Sequence, residues 1–176
     1  LAGRNYADFL IELLGEPRWL EEGNVRALNT GRAVDVIKLA VKESDYGKRM
    51  AAGKGQGLAF YFCHAAHIAE VADVTVNKDN SFTVDRVTVA VDVGPIINMS
   101  GATNQVEGSI IDGLSTMAMQ EITITDGVIQ EDNFDEYEVM RIDAAPEIDR
   151  QGRPRLGGDA RHPANGAGTG GVARGQ

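Results

Sequence analysis

Residues 68–93 read IAEVADVTVNKDNSFTVDRVTVAVDV, and their pattern decides the fold. Side chains on an extended chain alternate between two faces, so Ile68, Ala72, Val74 and Val76 share one of them. The run Asn77–Ser81, NKDNS, is turn chemistry. Phe82 and Val84 then resume the alternation. It slips by one residue at Asp85–Arg86 before Val87, Val89, Val91 and Val93. A slip of one in a period of two predicts a β-bulge at that point.

The pattern extends in both directions. Downstream, EITITDGVIQ predicts a hairpin with Asp126-Gly127 as its two-residue turn. EDNFDEYEVMRIDAAPEI then reads as a loop and a short extended segment. Upstream, LAFYFCHAAHIAEV reads as strand, entered through the glycines of AAGKGQG. Before it lie two amphipathic helices. In YADFLIELLGEP, Tyr6, Phe9, Leu10, Leu13 and Leu14 form one face, and Gly15 and Pro17 end the helix. In TGRAVDVIKLAVKESDYGK, Thr30 is placed to cap, Val34, Ile37 and Val41 to face inward, and Gly47 to stop the helix. Helices first, then strands joined by hairpin signals, predict an α+β fold. The expected architecture is N-terminal helices followed by a mostly antiparallel sheet with a capped helix packed on it.

Composition limits the classes of function. The 176 residues are 43% hydrophobic and carry a net charge of −9. An acidic chain is poorly suited to nucleic acid, whose binding relies on clustered Lys and Arg. No apolar run reaches membrane-spanning length, so no transmembrane segment is expected. The first residue is Leu, so the absence of a signal peptide carries no weight, and bacterial cytoplasm and periplasm both remain open. Cys63 is the single cysteine, which precludes an internal disulfide. Charge also divides the chain: residues 1–150 hold a net −12 and residues 151–176 a net +3. The latter stretch, QGRPRLGGDARHPANGAGTGGVARGQ, has eight glycines and only Leu156 and Val172 as large apolar residues. It is expected to be disordered or to order only against something else.

Several chemical readings can be weighed on the residues. The glycines at 53, 55 and 57 lack the Gly-Lys-Ser/Thr ending of a phosphate loop, and no helix pattern follows them. His64 and His67, three apart on a strand, point to opposite faces and do not converge on one ion. One is expected to be partly buried and one exposed. Five carboxylates between Glu131 and Glu138 lack the acid spacing and central glycine of a calcium loop, so they read as a solvated loop. No nucleophile–base pair supports a free-standing hydrolase.

The junction ATNQVEG, residues 102–108, is more informative. Asn104 can cap a helix, and Glu107, three residues later, can reach back to the cap amide. Val106, Ile110, Leu114 and Met117 follow at inward-facing helical spacing, and Gly108 and Gly113 would let another backbone approach. Gln105 would then lie in the first turn, near free N–H groups and the positive end of the helix dipole. Its amide, both donor and acceptor, suits a ligand with phosphate or heterocyclic edges. A helix start that merely fits the fold accounts for the same residues.

Four motifs occur here in a fixed order: VDVGPIIN, NQVEGSIIDGLS, EIT with DG, and NFDEY. Together with RNYADFLIELLG and RAVDVIKLAVKESDYGK, they resemble the molybdopterin-binding large subunit of molybdenum hydroxylases. This is the xanthine dehydrogenase and aldehyde oxidoreductase family, and the likeness is greatest to the isoquinoline 1-oxidoreductase β branch. The resemblance covers roughly residues 3–150. It implies a partial molybdopterin-binding domain over residues 1–150, in which Gln105 hydrogen-bonds the pterin and Glu107 serves helix capping. It implies hydroxylation of N-heterocycles or oxidation of aldehydes with oxygen from water. It also implies partners: the rest of the large subunit or a partner subunit, and an iron–sulfur or haem electron-transfer subunit. Molybdenum–molybdopterin would be shared with those segments, and none would be bound by this chain alone.

The family's general base is a glutamate in a GGxGE pattern. Here Gly157-Gly158-Asp159-Ala160-Arg161 places Arg161 where that glutamate is expected. A guanidinium stays protonated and cannot act as the base. No catalytic residue is therefore assigned. The shift to Gly, Ala and Arg after residue 150 suggests a slipped reading frame or another truncation, with a natural short relic as the alternative. The expected role is a fragment or subunit of a molybdenum oxidoreductase, inactive alone. The competing reading is a catalytically dead interaction module that keeps the fold.

Overall fold

The computed structural model describes residues 3–133 and 135–149. In chain order the elements are α1 (Tyr6–Leu14), α2 (Thr30–Ser44), β1 (Lys54–Cys63), β2 (Ala66–Val76), β3 (Phe82–Asp92), α3 (Met99–Ala118), β4 (Ile124–Thr125), β5 (Val128–Ile129) and β6 (Glu147–Asp149). The fold is α+β, as the patterns imply. The chain forms two compact units, one running to Ile96 and resuming at Ile148, the other spanning Ile97–Glu147. No helix among the described residues is long and apolar enough to cross a membrane.

The first unit is a four-stranded sheet in the order β1-β2-β3-β6, with α1 and α2 as its helical layer. β1 and β2 form a hairpin, so the stretch LAFYFCHAAHIAEV is two strands rather than one. His64 and Ala65 make the turn with φ of 49° and 68°. Ala65 does not advertise a turn, because such angles favour Gly, Asn, Asp or His. Ten consecutive residue pairs, from Lys54↔Thr75 to Cys63↔Ala66, hold the chain in it. At the β2–β3 connection, the Asn77 N–H donates to the Ser81 carbonyl at 2.8 Å, as NKDNS predicts. The bulge is also where the pattern slips. Asp73 pairs with Arg86 and Val74 with Val84, leaving Asp85 as the extra residue.

The buried faces differ from the simplest reading. On β2 the core side is His67, Ala69 and Val71, while Ile68, Ala72 and Val74 are half-buried and Val76 is exposed. β2 is apolar on both sides, so periodicity alone does not select the side that meets the helices. The core joins Ala69, Val71, Leu58 and Ala90 from the sheet to Val36, Ile37 and Ala40 from α2 and Ala7 from α1. Each fully buried Val or Ile contributes roughly 2 kcal/mol.

The helices are rotated relative to expectation for the same reason. α1 packs through Ala7, Leu10, Ile11 and Leu14, leaving Tyr6, Phe9 and Leu13 exposed. Its cap is Asn5, and Gly15 ends it at φ 67°. α2 buries Ala33, Val36, Ile37, Ala40 and Ser44, with Val34 and Val41 half-buried. Asn29, not Thr30, caps α2, accepting the Arg32 N–H at 3.0 Å. The Thr30 hydroxyl instead accepts the Arg18 N–H at 2.9 Å and donates to the Glu16 carbonyl at 2.7 Å. Asp45, not Gly47, takes the left-handed cap position, with φ 53°.

The second unit holds α3 and the β4–β5 hairpin, whose Asp126-Gly127 turn has φ of 53° and 78°. Ser115, buried on α3, accepts the Met140 N–H at 2.8 Å and a Gln120 amide hydrogen bond at 3.2 Å. Tyr137 of the NFDEY motif donates its hydroxyl hydrogen to Gln120 Oε1 at 2.9 Å. These bonds tie the loop after β5 to the C-terminal half of α3.

Candidate functional site

α3 carries the residue singled out for cofactor contact, but it begins earlier than the motif suggests. Asn98 is the cap, and its side-chain oxygen accepts the Gly101 N–H at 3.0 Å. The Asn104–Glu107 capping box does not form, since Asn104 is already inside the helix. Two asparagines six positions apart can both cap, and the chain uses the first, after Gly94-Pro95 breaks the strand. Gln105 therefore sits in the second turn, away from the free N–H groups of the first. It is exposed, as are Asn104, Gly108 and Ser109.

This face is small and polar. Gly101 lies one turn before Gln105 and Gly108 one turn after, so neither adjoining position carries a side chain that could screen the amide. A Cβ added at Gly108 or Gly113 would meet nothing within 4 Å, so no backbone of the described chain approaches either glycine. The opposite face buries Ile110 and half-buries Val106 and Leu114, whereas Met117 is 62% exposed and does not join them. The residues present fit one hydrogen-bonding contact to a heterocyclic edge, made by the Gln105 amide.

At the end of β3, the structure assembles a polar cluster that the motifs do not announce. Arg32 donates from Nε to Asp92 Oδ2 at 2.8 Å and from Nη2 to Oδ1 at 2.7 Å. The same carboxylate accepts the Gly94 N–H at 3.1 Å, fixing the backbone as it leaves the sheet. His67 pairs across the ladder with Asp92. It is 0% exposed, and its Nε2 accepts the Asn29 N–H at 3.0 Å, so the proton of the neutral ring is on Nδ1. Burial, with Arg32 reinforcing it and Asp92 opposing it, lowers the His67 pKa to about 4. Burial works against the charged form of Asp92 too, but the Arg32 and Gly94 hydrogen bonds outweigh it and hold the carboxyl below its ordinary value. One signal for this cluster is present in the sequence. A cation in the first turn of a helix opposes the helix dipole, so Arg32 needs an anion nearby.

The remaining candidates separate. His64 is exposed at the β1–β2 turn and His67 is buried, so the two do not converge. Cys63 Sγ lies 2.7 Å from His64 Nδ1. Among the described residues, no group of three or more His, Cys, Asp or Glu could hold a metal ion. In the acidic stretch, Glu131 accepts the Thr123 N–H at 2.6 Å, which keeps its carboxyl below the usual range and braces the β4–β5 hairpin. Arg161 and residues 151–176 lie outside the described residues.

The isoquinoline 1-oxidoreductase beta chain of Brevundimonas diminuta is 38% identical over 126 residues, covering 69% of this chain and 16% of that protein. A nicotinate dehydrogenase subunit of Pseudomonas putida is 24% identical over 159 residues, 77% of this chain and 13% of its own. A membrane-bound aldehyde dehydrogenase (pyrroloquinoline-quinone) of Gluconacetobacter polyoxogenes is 32% identical over 80 residues, 45% and 10% of the two chains. The chain thus spans less than a fifth of the length of these relatives. Residues 20–146, from just before α2 through the end of the second unit's loop, match the molybdopterin cofactor-binding domain family. On that match, which runs through α2, the three long strands and α3, the chain belongs to the molybdopterin cofactor-binding domain family.

Proposed function

We propose that this chain supplies part of the pterin site of a molybdenum oxidoreductase, with Gln105 as its hydrogen-bonding contact, and that it does not turn over substrate alone. The observation that carries this reading is the exposed Gln105 amide on α3, set between Gly101 and Gly108 inside the family-matched stretch. Bound molybdenum–molybdopterin would supply the redox centre for hydroxylating an N-heterocycle or oxidising an aldehyde with oxygen from water. The names of the relatives, which point to isoquinoline, nicotinate and aldehydes, support that substrate range. This chain's part is to orient the pterin through one amide. Arg161, at the position expected for the base, cannot take a proton, so the reaction needs a base from elsewhere. The remaining segments of the large subunit would complete the pocket, and an iron–sulfur or haem subunit would accept electrons.

The test is metal and pterin analysis of the complex purified with this chain as bait. Molybdenum and pterin should co-purify in the complex and be absent from the isolated chain. Gln105→Ala should lower cofactor content several-fold while complex assembly persists. Unchanged content would sink the assignment and leave the interaction-module reading in its place.

A further inference from the structure

The open edge of β1 carries a second message, independent of the cofactor. Among the described residues, β1 is the outermost strand of its sheet and pairs with β2 without a bulge. In an antiparallel hairpin closed by a two-residue turn, the residues flanking the turn exchange backbone hydrogen bonds. Cys63, Tyr61, Ala59, Gly57 and Gly55 therefore aim their backbone groups at β2. Phe62, Phe60, Leu58, Gln56 and Lys54 aim theirs outward. Two bonds at the far end agree with this phase. The Val76 N–H donates inward to the Gly53 carbonyl at 2.7 Å, and the Lys54 N–H turns outward to the Ala51 carbonyl at 3.0 Å. Beyond Lys54, no hydrogen bond among the described residues reaches the outward N–H and C=O groups of Gln56, Leu58, Phe60 and Phe62.

Proteins usually guard such an edge with proline, a bulge or inserted charge. β1 has no proline, no bulge, and one charge, Lys54, at its first position. Its other face also fits itself. Gly57, Ala59 and Tyr61 are all exposed, Tyr61 at 65%, and a Cβ at Gly57 would meet nothing within 4 Å. Consider a two-fold axis passing beside Ala59. Leu58 then exchanges hydrogen bonds with Phe60 of the second copy, Ala59 faces Ala59, and Tyr61 lies over Gly57. An aromatic ring covering a glycine in a close cross-strand pair fills the space that the glycine leaves. Both sides of the axis receive the same fit, as a two-fold interface requires.

The geometry points to a symmetric homodimer in which β1 pairs with β1 of a second copy, centred on Ala59, joining two four-stranded sheets into one of eight. One strand pair is a small interface, so association is reversible rather than obligate. Each copy carries −9, so added salt strengthens the dimer by screening their repulsion.

Sedimentation of the full chain should show a monomer–dimer equilibrium that shifts toward dimer as sodium chloride is raised. Facing Ala59 residues in a non-hydrogen-bonded pair have Cα atoms about 4.5 Å apart, within the range a disulfide spans. In a Cys63→Ser background, Ala59→Cys should therefore form a covalent dimer on mild oxidation at least tenfold faster than Lys78→Cys, at the β2–β3 turn. Tyr61→Lys should weaken the dimer at least tenfold without changing the thermal unfolding midpoint measured at low concentration. A chain that stays monomeric at all concentrations overturns the proposal. So do equal cross-linking rates at 59 and 78, or a dimer indifferent to Tyr61→Lys. None of these readouts involves molybdenum or pterin, so they succeed or fail separately from the cofactor assignment.

Discussion

Arg32 and Asp92, sixty positions apart, meet side-on through two short hydrogen bonds, and the pair joins the first turn of α2 to the last residue of β3. Both side chains are mostly buried, at 18% and 14% exposure. Removing one partner leaves the other charge without its counter-ion. Arg32→Met should therefore destabilise the chain by about 3 kcal/mol, and a compensating Arg32→Met/Asp92→Leu pair should recover much of the loss. Urea midpoints of the two variants decide it. A loss under about 1 kcal/mol would mean that the pair behaves like a surface ion pair.

His67 gives stability a pH dependence with a defined sign. Its folded pKa is about 4 against 6.5 for the free side chain, so the unfolded chain takes up a proton that the folded chain refuses. The stabilising difference is fully present above pH 6.5. It declines as pH falls toward 4 and levels off below that, reaching about 3 kcal/mol. Because Glu70 and Asp92 also have shifted pKa values, the comparison should be differential. His67→Gln, which keeps an acceptor for the Asn29 N–H, should flatten the pH-stability curve between 6.5 and 4. Parallel curves for the two proteins would refute the assignment.

The start of α3 can be located by substitution. Asn98→Ala should cost about 1 kcal/mol, through the lost bond to the Gly101 N–H. Asn104→Ala, exposed within the helix, should change stability by less than about 0.5 kcal/mol. Equal or reversed effects in thermal unfolding would restore the cap to Asn104.

Ser115 holds the second unit together with one hydroxyl. Ser115→Ala leaves the Met140 N–H and the Gln120 amide without their acceptor. A loss of about 1–3 kcal/mol is expected. Hydrogen exchange at the Met140 amide should speed up by at least tenfold, while amides of β2 exchange as before.

Much of this fold is readable where local chemistry and tertiary structure agree. Asp126-Gly127 specifies its hairpin because both residues tolerate positive φ. The slip at Asp85 is visible because valines mark each face of β3 so regularly. The α+β class follows from the order of these patterns. Elsewhere the signal is degenerate. β2 and α1 are apolar on more than one side and α2 carries a broad apolar stripe, so the inward side depends on which neighbour covers it. Asn98 and Asn104 are equally good caps in isolation. His64-Ala65 turns because the ten ladder pairs between the strands it joins demand it, a constraint that no local window contains. Arg32–Asp92 is a contact between residues far apart in sequence, and only the helix dipole hints at it. Gln105 is legible as a residue type in a motif, but its turn of the helix is not.

The sheet topology bears on how such a chain can change. β3 and β6 are neighbours in the sheet, yet almost all of Ile97–Glu147 is spelled between them. The helix bearing Gln105 thus lies within an insert that leaves β3 and returns to the chain at β6. The ladders among β1, β2 and β3 use none of the insert's residues, so their register does not depend on its length. The sheet acts as a chassis, and Gln105 belongs to a part that the chassis does not need in order to close its own core.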